Sequence, residues 1–154
     1  MKSKIENTKQ LVLKSYVDNK TYSFNVSDIL AITPGEKEIV IMTKGGKSTA
    51  IKAYIPEEDT VQIYYETFLS PEDFVPFEKF EKREYCFVIL SDYAIVNVDE
   101  ITSVKKTIDK KELEIAFGRR KIKTQKNVDF IEDYLNEVKE LRSNARADES
   151  AELQ

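Results

Sequence analysis

Nine of the twenty-two residues from 105 to 126 are basic: Lys105, Lys106, Lys110, Lys111, Arg119, Arg120, Lys121, Lys123 and Lys126. They stand against three acids, Asp109, Glu112 and Glu114, so the segment carries a net +6. Ammonium and guanidinium groups gathered in this way can grip phosphates, a contact that positions a protein on a nucleic acid without reading its sequence. Residues 56–100 have the opposite balance, with twelve acids against Lys79, Lys82 and Arg83, a net −9. The chain is therefore a strong dipole along its length. The basic segment reads as a phosphate grip, as a contact for an acidic protein, or as a surface paired internally with the acidic half.

Other chemistries are poorly supplied. The 154 residues contain no histidine, which removes the commonest zinc ligand, the partner of serine or cysteine nucleophiles, and the usual proton shuttle near neutral pH. Cys86 is the single cysteine and reads as a small buried hydrophobe. Four glycines leave little material for a loop that cradles phosphate. Acidic neighbours at Glu57-Glu58-Asp59 read as solvated or capping, and Asp99-Glu100, as adjacent residues of a strand, point to opposite faces and are poorly placed to share a proton. We expect no catalytic residue, no metal ligand and no cofactor. The net charge of −4 excludes a uniformly basic coat while allowing a local basic patch. Residues 1–10 are polar, and the longest apolar run, Cys86 to Leu90, is far short of the ~18 residues that span a bilayer. The expectation is a cytoplasmic protein with no membrane partner.

The elements that must carry these residues are mostly strands. Gln10 to Tyr16 and Thr21 to Val26 alternate around an Asp18-Asn19-Lys20 turn. Glu38 to Thr43 and Ser48 to Tyr54 flank Gly45-Gly46, a pair suited to the positive φ angles of a tight hairpin. Tyr85 to Leu90 and Tyr93 to Val98 flank Ser91-Asp92. Lys111 to Phe117 and Lys121 to Thr124 flank Gly118-Arg119. Pro56, followed by Glu57, Glu58 and Asp59, suits a helix start, and Val61, Tyr64, Tyr65, Phe68 and Leu69 follow helical spacing. A second helix opens at Asn127, with Val128, Ile131, Tyr134, Leu135, Val138 and Leu141 on one stripe.

The expected fold is mostly β: an antiparallel β-sandwich of two similar halves, about 10–69 and 85–142, with a mid-chain helix and a C-terminal amphipathic helix. Residues 1–9 read as a flexible arm, 10–142 as one domain and 143–154 as a flexible tail. The halves echo each other. Val26-Ser-Asp-Ile29 matches Val98-Asp-Glu-Ile101, Glu38-Ile-Val-Ile41 matches Glu112-Leu-Glu-Ile115, and Gly46-Lys47 matches Gly118-Arg119. Offsets of 72 to 74 favour a duplicated β unit over the chance likeness of hairpins that turn on glycine.

The run from Phe87 to Ile101 resembles the LytTR family of bacterial DNA-binding domains, whose hallmark is F-x-R-I-H-R-S-Y-I-V-N-L-D-x-I. Phe87, Ile95, Val96, Asn97, Asp99 and Ile101 match without a gap. Upstream, Val26 to Ile32, Glu38 to Thr43 and Gly46-Lys47 resemble the family's first half; downstream, Leu113-Glu-Ile, Gly118, Ile122 and Thr124 to Val128 resemble its close. The likeness covers about residues 20 to 138, with extra chain at 70–84. It implies a mostly β fold that binds promoter DNA through loops entering successive major grooves. The family's His-Arg loop pair is Ser91-Asp92 here, a degenerate reading loop in which Asp92 has the wrong sign for phosphate or guanine. The basic position of the second DNA-contacting loop is kept as Lys126, beside Asn127.

Two functions follow. The first is a small non-enzymatic transcription regulator that binds double-stranded DNA mainly through phosphates, using Lys105, Lys106, Arg119, Arg120, Lys121, Lys123, Lys126 and Asn127. The second is a protein-interaction module, an adaptor or inhibitor on the same scaffold, with Phe74, Phe77 and Phe80 as its interface unless these pack over the core. A homodimer is compatible with either, with residues 70–84 as a lid, a strand or the dimer contact.

Overall fold

A computed structural model describes residues 10–34, 37–52, 54–56, 68–69, 85–90 and 94–153. The first alternating pair forms β1 (Gln10–Ser15) and β2 (Thr21–Asn25). Their turn holds Asn19 at φ 58°, and Asp18 Oδ1 accepts the Lys20 amide at 3.0 Å. A short 3-10 turn, Val26–Asp28, leads into β3 (Ile29–Pro34), β4 (Glu38–Thr43), β5 (Lys47–Lys52) and β6 (Tyr54–Pro56). Then follow β7 (Phe68–Leu69), β8 (Phe87–Ile89) and β9 (Ile95–Asn97). A second 3-10 turn, Val98–Glu100, opens β10 (Ser103–Lys106), β11 (Leu113–Phe117) and β12 (Arg120–Thr124). Helix α1 (Val128–Leu153) closes the chain.

Three sheets result, with strand orders β2-β1-β6, β5-β4-β3-β9-β8-β7 and β10-β11-β12. Among the described residues every pairing is antiparallel except β7 with β8, where Phe68 lies beside Phe87 and Leu69 beside Val88. The mostly β class expected from the sequence holds. The six-stranded sheet is the middle layer. Ile32, Ile39, Ile41, Ile51, Phe87 and Ile95 pack with Leu11 and Leu13 of the β1–β2 layer. Ala31, Val88 and Val96 belong to a second core with Val104, Leu113, Ile115, Phe117 and Ile122, sealed by Ile131, Leu135 and Val138 of α1. Strands of the middle layer are thus covered on both faces, and Ile95, Val96 and Asn97 are all buried. A strand covered on both faces needs a continuous apolar run and loses its alternation.

The echo between the halves extends to structure. Asn25 and Asn97 each precede a 3-10 turn whose valine, Val26 or Val98, is fully buried. Each turn closes with the isoleucine amide donating to the valine carbonyl. Each then passes through a strand and a hairpin that turns on glycine at positive φ, Gly45 and Gly46 at 85° and 78° and Gly118 at 68°. The halves are joined by Asn97, whose Nδ2 donates to the Ile29 carbonyl at 3.0 Å.

Four elements differ from expectation. Pro56, expected to open a helix, ends strand β6 opposite Leu13, on an edge strand of its sheet, where proline is tolerated. Phe68 and Leu69 end the mid-chain helical pattern as strand β7, while residues 57–67 lie outside the described residues. Residues 103–106 form β10, a strand the sequence pattern did not assign. Helix α1 continues beyond Arg142 to Leu153.

Candidate nucleic-acid interface

Strand alternation decides which cations of the basic segment reach solvent. In β11, Leu113, Ile115 and Phe117 point into the core, which turns Glu114 and Ala116 outward. Register then places Lys105 opposite Glu114 on one side and Lys123 opposite Glu114 on the other. Ser103 and Lys121 flank Ala116 in the next row. The outer face of the β10–β12 sheet thus presents three lysines, Lys105, Lys121 and Lys123, around one carboxylate. Lys121 Nζ lies 2.7 Å from Glu114 Oε1. The Lys121 hydrogen bond, helped by the charges of Lys123 and Lys105, holds the Glu114 carboxyl below its ordinary range.

A concavity of about 650 Å³ lies over this face. Its far wall is the β10–β11 loop, where Ile108 is fully exposed. The loop is internally tied. Thr107 donates through Oγ1 to Asp109 Oδ1 at 2.6 Å, the Lys111 amide donates to the same oxygen at 3.1 Å, and Lys110 sits at φ 61°. The Thr107 hydroxyl, followed by the Lys111 amide, lowers the Asp109 carboxyl pKa.

The remaining sequence-derived candidates divide. Lys106, next to Lys105, points the other way onto α1, where its ammonium meets Asp129 and lies 3.8 Å from Glu132. The Asp129 hydrogen bond raises the Lys106 pKa, and the same contact lowers that of Asp129. Arg120 is spent internally: Nη1 donates to the Thr43 carbonyl at 2.6 Å and Nη2 to the Lys47 carbonyl at 2.7 Å, with Ser48 Oγ also in contact. It ties one glycine hairpin to the other. Arg119 is exposed at the hairpin tip. Lys126 and Asn127 are exposed at the β12–α1 corner, where Asn127 takes φ 52° and its carbonyl accepts the Ile131 amide at 2.9 Å. Ser91, Asp92, Phe74, Phe77 and Phe80 lie outside the described residues.

Sequence reasoning counted Glu114 only as a neutralising charge and missed its place among the lysines. The signal was available: treating 103–106 as a strand puts Lys105 across from it. On the opposite side of the sheet, α1 carries Asp129, Glu132, Asp133, Glu137 and Glu140, so the basic face and an acidic helix stand back to back. A second concavity, about 690 Å³, lies between β2 and the β4–β5 turn, lined by Asn25, Asp28, Lys44 and Lys47 in a mixed charge balance. Lys44 there is paired with Glu100 at 3.0 Å. Among the described residues no three His, Cys, Asp or Glu side chains are grouped to hold a metal ion, and no helix is long and apolar enough to cross a membrane. Compared with protein-family models, curated proteins and solved structures, the chain matches none.

Proposed function

We propose that this protein is a small non-enzymatic DNA-binding regulator of the cytoplasm, resembling a divergent LytTR domain, that holds duplex DNA mainly by its phosphates. The observation that carries the reading is the shared outward direction of Lys105, Lys121 and Lys123 across three paired strands. Arg119 at the hairpin tip and Lys126 at the β12–α1 corner are also exposed and supply two further cations. Ammonium groups held by sheet register form a fixed array, and such an array suits a repeating polyanion better than a single small ligand. Arg120 and Lys106 contribute to the scaffold instead of the contact, because their charged groups are already engaged.

The test is anisotropy of a labelled mixed-sequence duplex titrated with protein between 50 and 200 mM salt. Five phosphate contacts give a log–log salt slope of roughly −4 to −5. Arg119→Gln, Lys123→Gln and Lys126→Gln each make the slope shallower by about one. No binding to any duplex at low salt ends the reading and leaves the protein-interaction module in its place.

A further inference from the structure

The strongest feature that this reading leaves unused is the carboxylate at the centre of the lysine face. Glu114 lies on the middle strand, with a lysine directly opposite on each neighbouring strand and a third, Lys121, diagonal to it. Its carboxylate engages Lys121 at 2.7 Å and is about a quarter exposed, whereas the Lys121 side chain is more than half exposed. A carboxylate paired with one ammonium group and flanked across the strands by two more lysines occupies a place where a phosphate would be held. A carboxylate and a phosphate oxygen accept from the same donors in similar geometry, and both cannot be accommodated there without like-charge repulsion.

We infer that Glu114 is an internal competitor of the DNA backbone: it occupies the central anion position of the Lys105–Lys121–Lys123 face in the free protein, and a phosphate must displace it to bind. The inference rests on the DNA-binding reading above and deepens it. Glu114 cannot leave the face, because its backbone is fixed on both sides by ladder pairing. Its side chain swings aside while the lysines turn to the phosphate. The face is thereby weakened toward polyanions in general, and binding depends on neighbouring contacts at Arg119 and Lys126 that Glu114 does not touch.

The experiment measures duplex affinity and its salt dependence for the full chain, for Glu114→Gln, and for Glu137→Gln, which removes the same charge from α1 on the far side. Amide proton spectra verify that each variant keeps the fold. The expected result is that Glu114→Gln binds about five- to tenfold tighter at 50 mM salt with little change in slope, because the same cations meet phosphate in both forms and only the competing carboxylate is gone. Glu137→Gln stays near the unaltered chain. Binding by Glu114→Gln alone, with none by the unaltered chain at low salt, ends the DNA reading and displacement with it. If the unaltered chain binds and the two variants match each other, or Glu114→Gln binds more weakly, displacement is overturned while the DNA reading stands. If no form binds at low salt, both fall.

Discussion

Arg142 and Asp99 meet in a two-pronged ion pair, Nε to Oδ1 at 2.9 Å and Nη2 to Oδ2 at 2.6 Å, with each side chain less than a tenth exposed. The pair fastens α1 to the second 3-10 turn, at the place where the chain enters the β10–β12 sheet. The helix and the basic face are therefore set by the same corner. Lys139 adds a bond from α1 to the Thr102 carbonyl at 3.1 Å.

Removing one partner deprives a buried charge of this two-pronged contact. Asp99→Ala and Arg142→Ala are each expected to lower unfolding free energy by about 3–5 kcal/mol, whereas the apolar double change Asp99→Leu with Arg142→Met costs far less than the sum. Urea denaturation of the two singles and the double measures the coupling. Additive losses would show that the pair does not act as a unit.

Asn97 serves two corners at once, donating to the Ile29 carbonyl and accepting the Asp99 amide at 3.2 Å. Asn97→Ala is expected to cost about 1–3 kcal/mol, since it strands a buried carbonyl and an amide. Thermal unfolding reads the loss, and hydrogen exchange should speed up first at the Asp99 amide.

Arg119 and Arg120 are neighbours with opposite duties. Arg120→Gln removes charged donors from the Thr43 and Lys47 carbonyls and is expected to cost about 2 kcal/mol, a fall of roughly 4–8 °C in Tm. It should leave the salt slope of DNA binding unchanged. Arg119→Gln should do the reverse. A stability loss at Arg119, or a slope change at Arg120, contradicts the assignment.

The contact of Lys106 with Asp129 makes the start of α1 sensitive to acid. The folded carboxyl lies below its ordinary value of 3.8, so the contact's stabilisation is fully present above that value and fades as pH falls through the lower folded one. Lys106→Met should return the Asp129 carboxyl toward 3.8, read by carboxyl carbon chemical shift. An unmoved titration would remove Lys106 as the cause.

The elements legible in the sequence are those with one wet face or a glycine turn. β4, β5, β11 and β12 alternate, and Gly45-Gly46 and Gly118 mark their hairpins. β3 was not legible, because Ile29, Leu30, Ala31 and Ile32 are all buried and show no period of two. Phe68 and Leu69 fit a helical spacing, and their pairing with β8 depends on a partner nearly twenty residues away. Of the candidate interface, the concentration of cations was legible and their directions were not. Arg120 gave no sign of its internal role, since its acceptors are main-chain oxygens of the other hairpin. Lys105 and Lys106 read as equivalent until β10 placed them on opposite faces.

The β3–β9 pairing has a consequence for how this chain can be handled. Ala31 lies beside Val96 and Ile32 beside Ile95, so the earlier and later strands are stitched through the middle of one continuous ladder. A fragment cut between them would lay bare the innermost hydrogen-bonding edge of whichever piece remained, apolar on both sides and ready to recruit other chains. Truncation is thus expected to yield precipitate rather than a working miniature, and the smallest useful unit keeps β3 and β9 together.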